Sequence, residues 1–244
     1  LTLFDTSPKR WLFCLTHPDD ELAIGAWIRK LTLTGNEVFL SWTHSTPVRE
    51  TEAADACDLL GIPASRTQYF RAPDGQICDH LNGLLPMFRE WMNAVQPDRV
   101  VCGAFEQGHL DHDATNWLVN QAFAGPVLEI PLYHTYVRRI QRLNRFSEPG
   151  GEEVHMLNED DRAFKKRLAR CYPSQSIWRI CATYETVRRL GAPIPPLLQT
   201  ERMRLQRHQR FDLPNHPAHL ARRVASSKSW HRWLGALDTA TAKG

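Results

Sequence analysis

From residue 11 to residue 135, short apolar runs alternate with segments whose apolar positions recur three and four apart. Residues 11–15, 38–42, 68–70 and 100–104 have the length and continuity of buried strands, and residues 127–133 predict another. Between them the period becomes helical. Residues 21–33 place Ala23, Ala26, Trp27 and Leu31 on one face and stop at Gly35-Asn36. A helix from about Arg49 carries Ala53, Ala56, Cys57 and Leu60, with Gly61 as its stop. Leu84, Phe88, Trp91 and Val95 mark a third, closed by Pro97, and Ala114, Trp117, Leu118 and Ala122 a fourth. Such alternation builds a Rossmann-like α/β fold, a mostly parallel sheet covered by helices on both faces.

The pattern weakens beyond residue 135. Residues 144–160 are polar with paired glycines and read as a loop or hairpin; residues 162–169 and 176–189 read as helices; residues 192–196 read as a break. No internal repeat is visible. The expected organisation is a single domain over 1–244, with an α/β core at 1–135 and a C-terminal extension at 136–244 that shapes a substrate pocket.

Composition narrows the function classes. With 42% hydrophobic and 23% charged residues, the chain can bury a substantial core and is not of the disordered type. Its net charge of +3 does not argue for nucleic acid. Residues 201–244 are basic and contain Trp230 and Trp233, but a solvated helix face with two packed tryptophans explains them without a base-reading motif. No apolar run approaches the ~18 residues of a membrane span, and no signal-peptide pattern is seen. Six cysteines without a C-x-x-C pair read as core thiols of a reduced, cytoplasmic protein.

Two motifs carry the candidate chemistry. Thr16-His17-Pro18-Asp19-Asp20-Glu21 follows the first strand, and Gly108-His109-Leu110-Asp111-His112-Asp113 follows the fourth. Imidazole nitrogens and carboxylate oxygens both suit zinc. Crowding Asp19, Asp20 and Glu21 at the start of one helix builds repulsion that a divalent cation relieves, leaving one carboxylate free as a base. One of the two histidines of the second motif completes a His-Asp-His site with His17 and Asp20. Three protein ligands leave a position for water, the arrangement of catalytic rather than structural zinc. The other histidine, paired with Asp111, is expected to have a raised pKa and to act as an acid or oxyanion stabiliser.

These residues resemble the LmbE-like, PIG-L-type family of zinc-dependent de-N-acetylases, whose motifs read A-H-P-D-D-E and G-H-x-D-H; Thr16 stands in the alanine place. Weaker similarity extends to Arg49-Glu50-Thr51-Glu52-Ala53, to Pro73-Asp74-Gly75 and to Tyr172-Pro173-Ser174-Gln175. The resemblance implies that His17, Asp20 and His112 bind Zn2+, that Asp19 is the general base, and that His109 is the acid or oxyanion stabiliser with Asp111 as its partner. It implies sugar contacts for Arg49 and Asp74, and an N-acetylated amino-sugar conjugate as substrate. Other readings are a different zinc amidase, a phosphoesterase, or a catalytically silent sugar-binding protein on the same fold. His44 and His134 are extra histidines at strand ends, expected in the pocket wall or just behind the ligands.

Overall fold

The computed structural model describes residues 2–132, 134–137, 143–192 and 196–241. The expected parallel strands form: β1 (Arg10–Leu15), β2 (Glu37–His44), β3 (Thr67–Ala72), β4 (Arg99–Gly103) and β5 (Val127–Ile130). The last residue of the 127–133 run, Tyr133, lies outside the described residues, as do 193–195 of the expected break. Two further strands, β6 (Glu152–Met156) and β7 (Thr200–Leu205), complete a seven-stranded sheet of order β3-β2-β1-β4-β5-β7-β6. β1 to β5 run parallel, and β7 is antiparallel to both its neighbours. The polar stretch 144–160 therefore contains a sheet strand as well as loop.

β1 shows why its run is continuously apolar. Trp11, Phe13 and Leu15 enter the core on one face of the sheet, and Leu12 and Cys14 enter the core on the other. Helices α1 (Gly25–Leu33), α2 (Pro47–Leu60) and α5 (Glu159–Leu168) cover the first face. Helices α3 (Leu81–Val95), α4 (Leu110–Ala122), α7 (Ala218–Ala225) and α8 (Lys228–Thr241) cover the second. Trp230 and Trp233 of α8 are buried there, and the Trp233 indole donates to the Phe211 carbonyl at 2.8 Å. Helix α6 (Ile177–Arg189) lies among the second-half elements. All six cysteines are free.

The first helix starts later than its pattern predicts. Asp20–Ala23 form a 3₁₀ turn, and α1 begins at Gly25. Its cap comes from far along the chain: Glu201 of β7 accepts the amides of Ala26 at 2.9 Å and Trp27 at 2.8 Å. Glu201 is itself neutralised by Lys165, 2.6 Å away. A Cβ on Gly25 would meet Leu168 Cδ2 at 2.5 Å, so any larger residue here would force the Leu168 side chain of α5 to shift. The acids 19–21 thus sit in a turn at the sheet edge, not on an α-helix N-terminus.

After β3 at the edge the chain returns to place β4 beside β1, with Cys14 opposite Cys102. The loops leaving β1 and β4 diverge at this switch point and open the crevice where such sheets bind ligands.

Two buried acids make stability depend on pH. Burial pushes the Asp113 carboxyl up to about 8, against hydrogen bonds from the Tyr136 hydroxyl and the Gln107 amide. Burial pushes Glu106 up to about 7, although Arg204 stands 3.3 Å away. Unfolded carboxyls titrate near ~4. The folded state therefore holds extra protons between about pH 4 and these raised values. The associated stability is complete below ~4 and lost as pH rises through about 7 to 8. Unfolding free energy is expected to fall between about pH 6 and about pH 9, and Asp113→Asn to flatten that fall. Urea titrations at both pH values check this; an identical slope in the variant would contradict it.

Candidate metal centre and active site

The loop after β1 is built around Asp20. One carboxylate oxygen accepts the amides of Thr16 at 3.0 Å and His17 at 2.9 Å. Its other oxygen points toward His112 Nε2, 3.9 Å away. His112 lies in the first turn of α4, buried, with Nε2 3.2 Å from His17 Nδ1. His17, Asp20 and His112 thus bring three donor atoms to within 4.8 Å of one another. Zinc–nitrogen bonds of about 2.0–2.1 Å in tetrahedral geometry place ligand nitrogens roughly 3.3 Å apart, so the imidazole pair fits a bound ion.

A second set, His17, His109 and Asp111, meets the same distance criterion. Its carboxylate is already engaged. Asp111 accepts the Gly75 amide at 2.6 Å on one oxygen and the Ile77 amide at 3.1 Å on the other. His109 caps α4, its Nδ1 accepting the Asp111 amide at 3.3 Å. In the first set His17 Nδ1, His112 Nε2 and one Asp20 oxygen turn toward one another, and it is the better cation site.

Charge at the cluster agrees. Burial works against a charged His17, but hydrogen bonding to Asp111 and Asp74 outweighs it and pushes the imidazole up to about 10. Burial pushes His112 down to about 3. The protein therefore arranges one positive charge at this point, and a divalent ion would replace the His17 proton. His17 Nε2 meanwhile faces Asp74 at 3.1 Å and Asp111 at 3.7 Å, a carboxylate–imidazole contact of the kind that orients metal-binding histidines.

Asp19 stands beside the cluster in a strained backbone conformation, φ 116°. The other positive-φ non-glycine residues among those described lie between 49° and 62°, in the left-handed helical region, whereas Asp19 lies well beyond it. Arg49 holds its carboxylate at 3.1 Å and also donates to the Pro18 carbonyl at 2.5 Å. Burial, then the neighbouring Asp20 charge, raise the Asp19 carboxyl well above its ordinary range, while Arg49 pulls it back. Arg49 is thus held against the Asp19 carboxylate. Asp74 lies in the expected turn, its side chain 62% exposed.

Two expectations change. Asp111 anchors the 73–77 turn and faces His17; its link to His109 runs through its backbone amide. The His109 pKa is lowered, not raised: burial acts first, and the Asp111 charge only partly offsets it. An N–H aimed at Nδ1 also favours the neutral ring, which leaves Nε2 as the donor. His44 stands beside His17, with Nδ1 2.8 Å from the Ala72 carbonyl and ring centroids 5.5 Å apart. His134 is buried nearby in sequence to β5.

Sequence reading left supporting contacts unassigned. Buried Glu21 accepts the Asp19 amide at 3.2 Å, the Trp42 indole at 3.3 Å and the Tyr172 hydroxyl. Glu52 accepts the Ser174 amide at 2.8 Å and hydroxyl at 2.7 Å. The separate segments 49–53 and 172–175 therefore meet in space and brace the loop of Asp19. Glu52→Ala should cost about 0.5–1.5 kcal/mol by removing the acceptor of the Ser174 amide and hydroxyl. A denaturant midpoint unchanged in that variant would contradict the brace.

A family model described as PIG-L, GlcNAc-PI de-N-acetylase, matches residues 12–123, the span holding both motifs. No curated protein matches the chain. Among solved structures, a deacetylase triple mutant of teicoplanin biosynthesis superposes with a TM-score of 0.61 at 19% identity, covering 80% of this chain and 97% of that chain. The A40926 pseudoaglycone deacetylase gives 0.60 at 17%, covering 84% and 100%. A zinc-inhibited form of teicoplanin deacetylase gives 0.57 at 15%, covering 80% and 98%. The chain has the fold of the PIG-L/LmbE-like deacetylases and carries in it a His/Asp cluster able to hold a divalent metal.

Proposed function

We propose that this protein is a metal-dependent hydrolase that removes an N-acetyl or related N-acyl group from an amino-sugar conjugate, giving a carboxylate and a free amine. The observation that carries the reading is the convergence of His17, Asp20 and His112 with a strained, arginine-held Asp19 beside them. The family match and the fold support the reaction class. Six free cysteines support a reducing, cytoplasmic setting as part of the same reading. Among the described residues, both metal-capable clusters share His17, which disfavours a two-metal phosphoesterase.

His17, Asp20 and His112 would hold the ion, with Zn2+ the natural fit to these donors. When bound, such an ion acidifies water and polarises a carbonyl. Asp19 accepts the proton of the attacking water; its raised pKa brings it closer to neutral operating pH. Neutral His109 donates Nε2–H to the oxygen that gains charge as the carbonyl carbon becomes tetrahedral. Asp19 then delivers its proton to the departing nitrogen. Asp74 and Arg49 border the site where the sugar hydroxyls would lie. The test is amine and acetate formation from a panel of N-acetylglucosamine conjugates by the metal-loaded protein. Equimolar acetate and amine support the reading; a metal-loaded protein inert toward every conjugate counts against it.

A further inference from the structure

A groove of about 170 Å³ opens beside the cluster, and Asp19 and Asp20 are part of its wall. Most of the remaining wall is apolar, including Leu22, Ala23, Leu132, Ile177, Ile180 and Leu197. Its lysine, Lys165, is committed to Glu201 at 2.6 Å and offers a ligand no free charge. Ile180 is 49% exposed on α6, an aliphatic side chain with one side turned to solvent.

We propose that this groove receives the acyl half of the amide, and that the preferred acyl chain is longer than acetyl, on the order of six carbons. The proposal rests on the hydrolase reading above. An amide presents two halves to such a centre. Sugar hydroxyls placed against leucine, isoleucine and proline would lose water without gaining partners. The polar groups that could serve them, Asp74, Arg49, His44 and His109, stand around His17 and Asp19, and none of these four lines the groove. A hydrocarbon chain needs no partners. Size sets its length: an apolar cavity of about 150 Å³ accommodates a benzene ring, so this groove holds roughly six carbons. The bonds exchanged are unchanged. The C–N bond breaks, the water oxygen joins the acyl carbon, and one water proton passes to nitrogen, leaving a straight-chain carboxylate and an amine.

The test compares N-acetyl-, N-butyryl- and N-hexanoyl-glucosamine as substrates of the metal-loaded protein, and acetate against hexanoate as ligands by calorimetry. Each methylene buried should raise kcat/KM roughly fourfold, so hexanoyl should exceed acetyl on the order of a hundredfold. Ile180→Trp fills the groove and should bring the hexanoyl-to-acetyl ratio of kcat/KM down to about one; Ile177→Phe serves if the first variant fails to fold. Equal rates along the series with equal binding of acetate and hexanoate would overturn the proposal. Hexanoate-selective binding lost in Ile180→Trp, with no amide cleaved, would keep the groove and reject the hydrolase reading instead.

Discussion

Asp19→Asn is expected to keep its metal and to lose turnover on the order of a hundred- to ten-thousandfold, the usual worth of a general base. Asparagine suits the test because it matches aspartate in shape and tolerates positive φ better than alanine, and Asp19 sits at φ 116°. It can still accept from Arg49, so the loop should stay in place. What it cannot do is take a proton. The wild-type rate should fall as pH drops through the raised Asp19 pKa, and that acid limb should vanish from the residual rate of the variant. Burial and the Asp20 charge cause the rise, so the limb should lie above the ordinary carboxylate range. Retention of the wild-type rate and of the acid limb would remove Asp19 from the reaction.

His112→Ala is expected to abolish both metal binding and turnover, whereas His109→Ala should keep the metal and lose turnover on the order of a hundred- to a thousandfold. The pair separates the two clusters that share His17. Were the ion held by His17, His109 and Asp111, the outcomes would exchange: His109→Ala would empty the site and His112→Ala would not. The first cluster is favoured because one Asp20 oxygen faces His112 Nε2 at 3.9 Å while its other oxygen holds the Thr16 and His17 amides, whereas both Asp111 oxygens accept amides of the 73–77 turn. Metal analysis of the two purified variants reads the difference directly.

The parts legible in the sequence are those whose environment is uniform. β1 and β4 are covered on both faces, so residues 11–15 and 100–103 are apolar without interruption, and β2 keeps enough of the same character around Ser41 to read as a strand. Both motifs follow such strands, and their placement at adjacent strand ends follows from the strand order. β7 was not legible because Glu201 and Arg204 are buried in it. Their charges break the apolar pattern, yet each has a partner remote in sequence. Glu201 meets Lys165 and the α1 amides; Arg204 meets Glu129 at 2.8 Å and lies 4.0 Å over the Phe146 ring. The start of α1 was misplaced for the same reason, since its cap lies in β7. The orientation of Asp111 toward the 73–77 turn, and the neutral state of His109, likewise depend on contacts that no local pattern encodes.

The most direct test of the metal-dependent hydrolase is stoichiometric. The protein is stripped with a chelator, and zinc, cobalt, nickel or ferrous iron is returned in substoichiometric steps while bound metal and amide cleavage are followed together on the best N-acyl amino sugar. Stripping should abolish cleavage, and cleavage should return in proportion to bound ion, saturating at one per chain with His17, Asp20 and His112 intact. Full cleavage by protein shown to contain no metal would contradict the account at its centre.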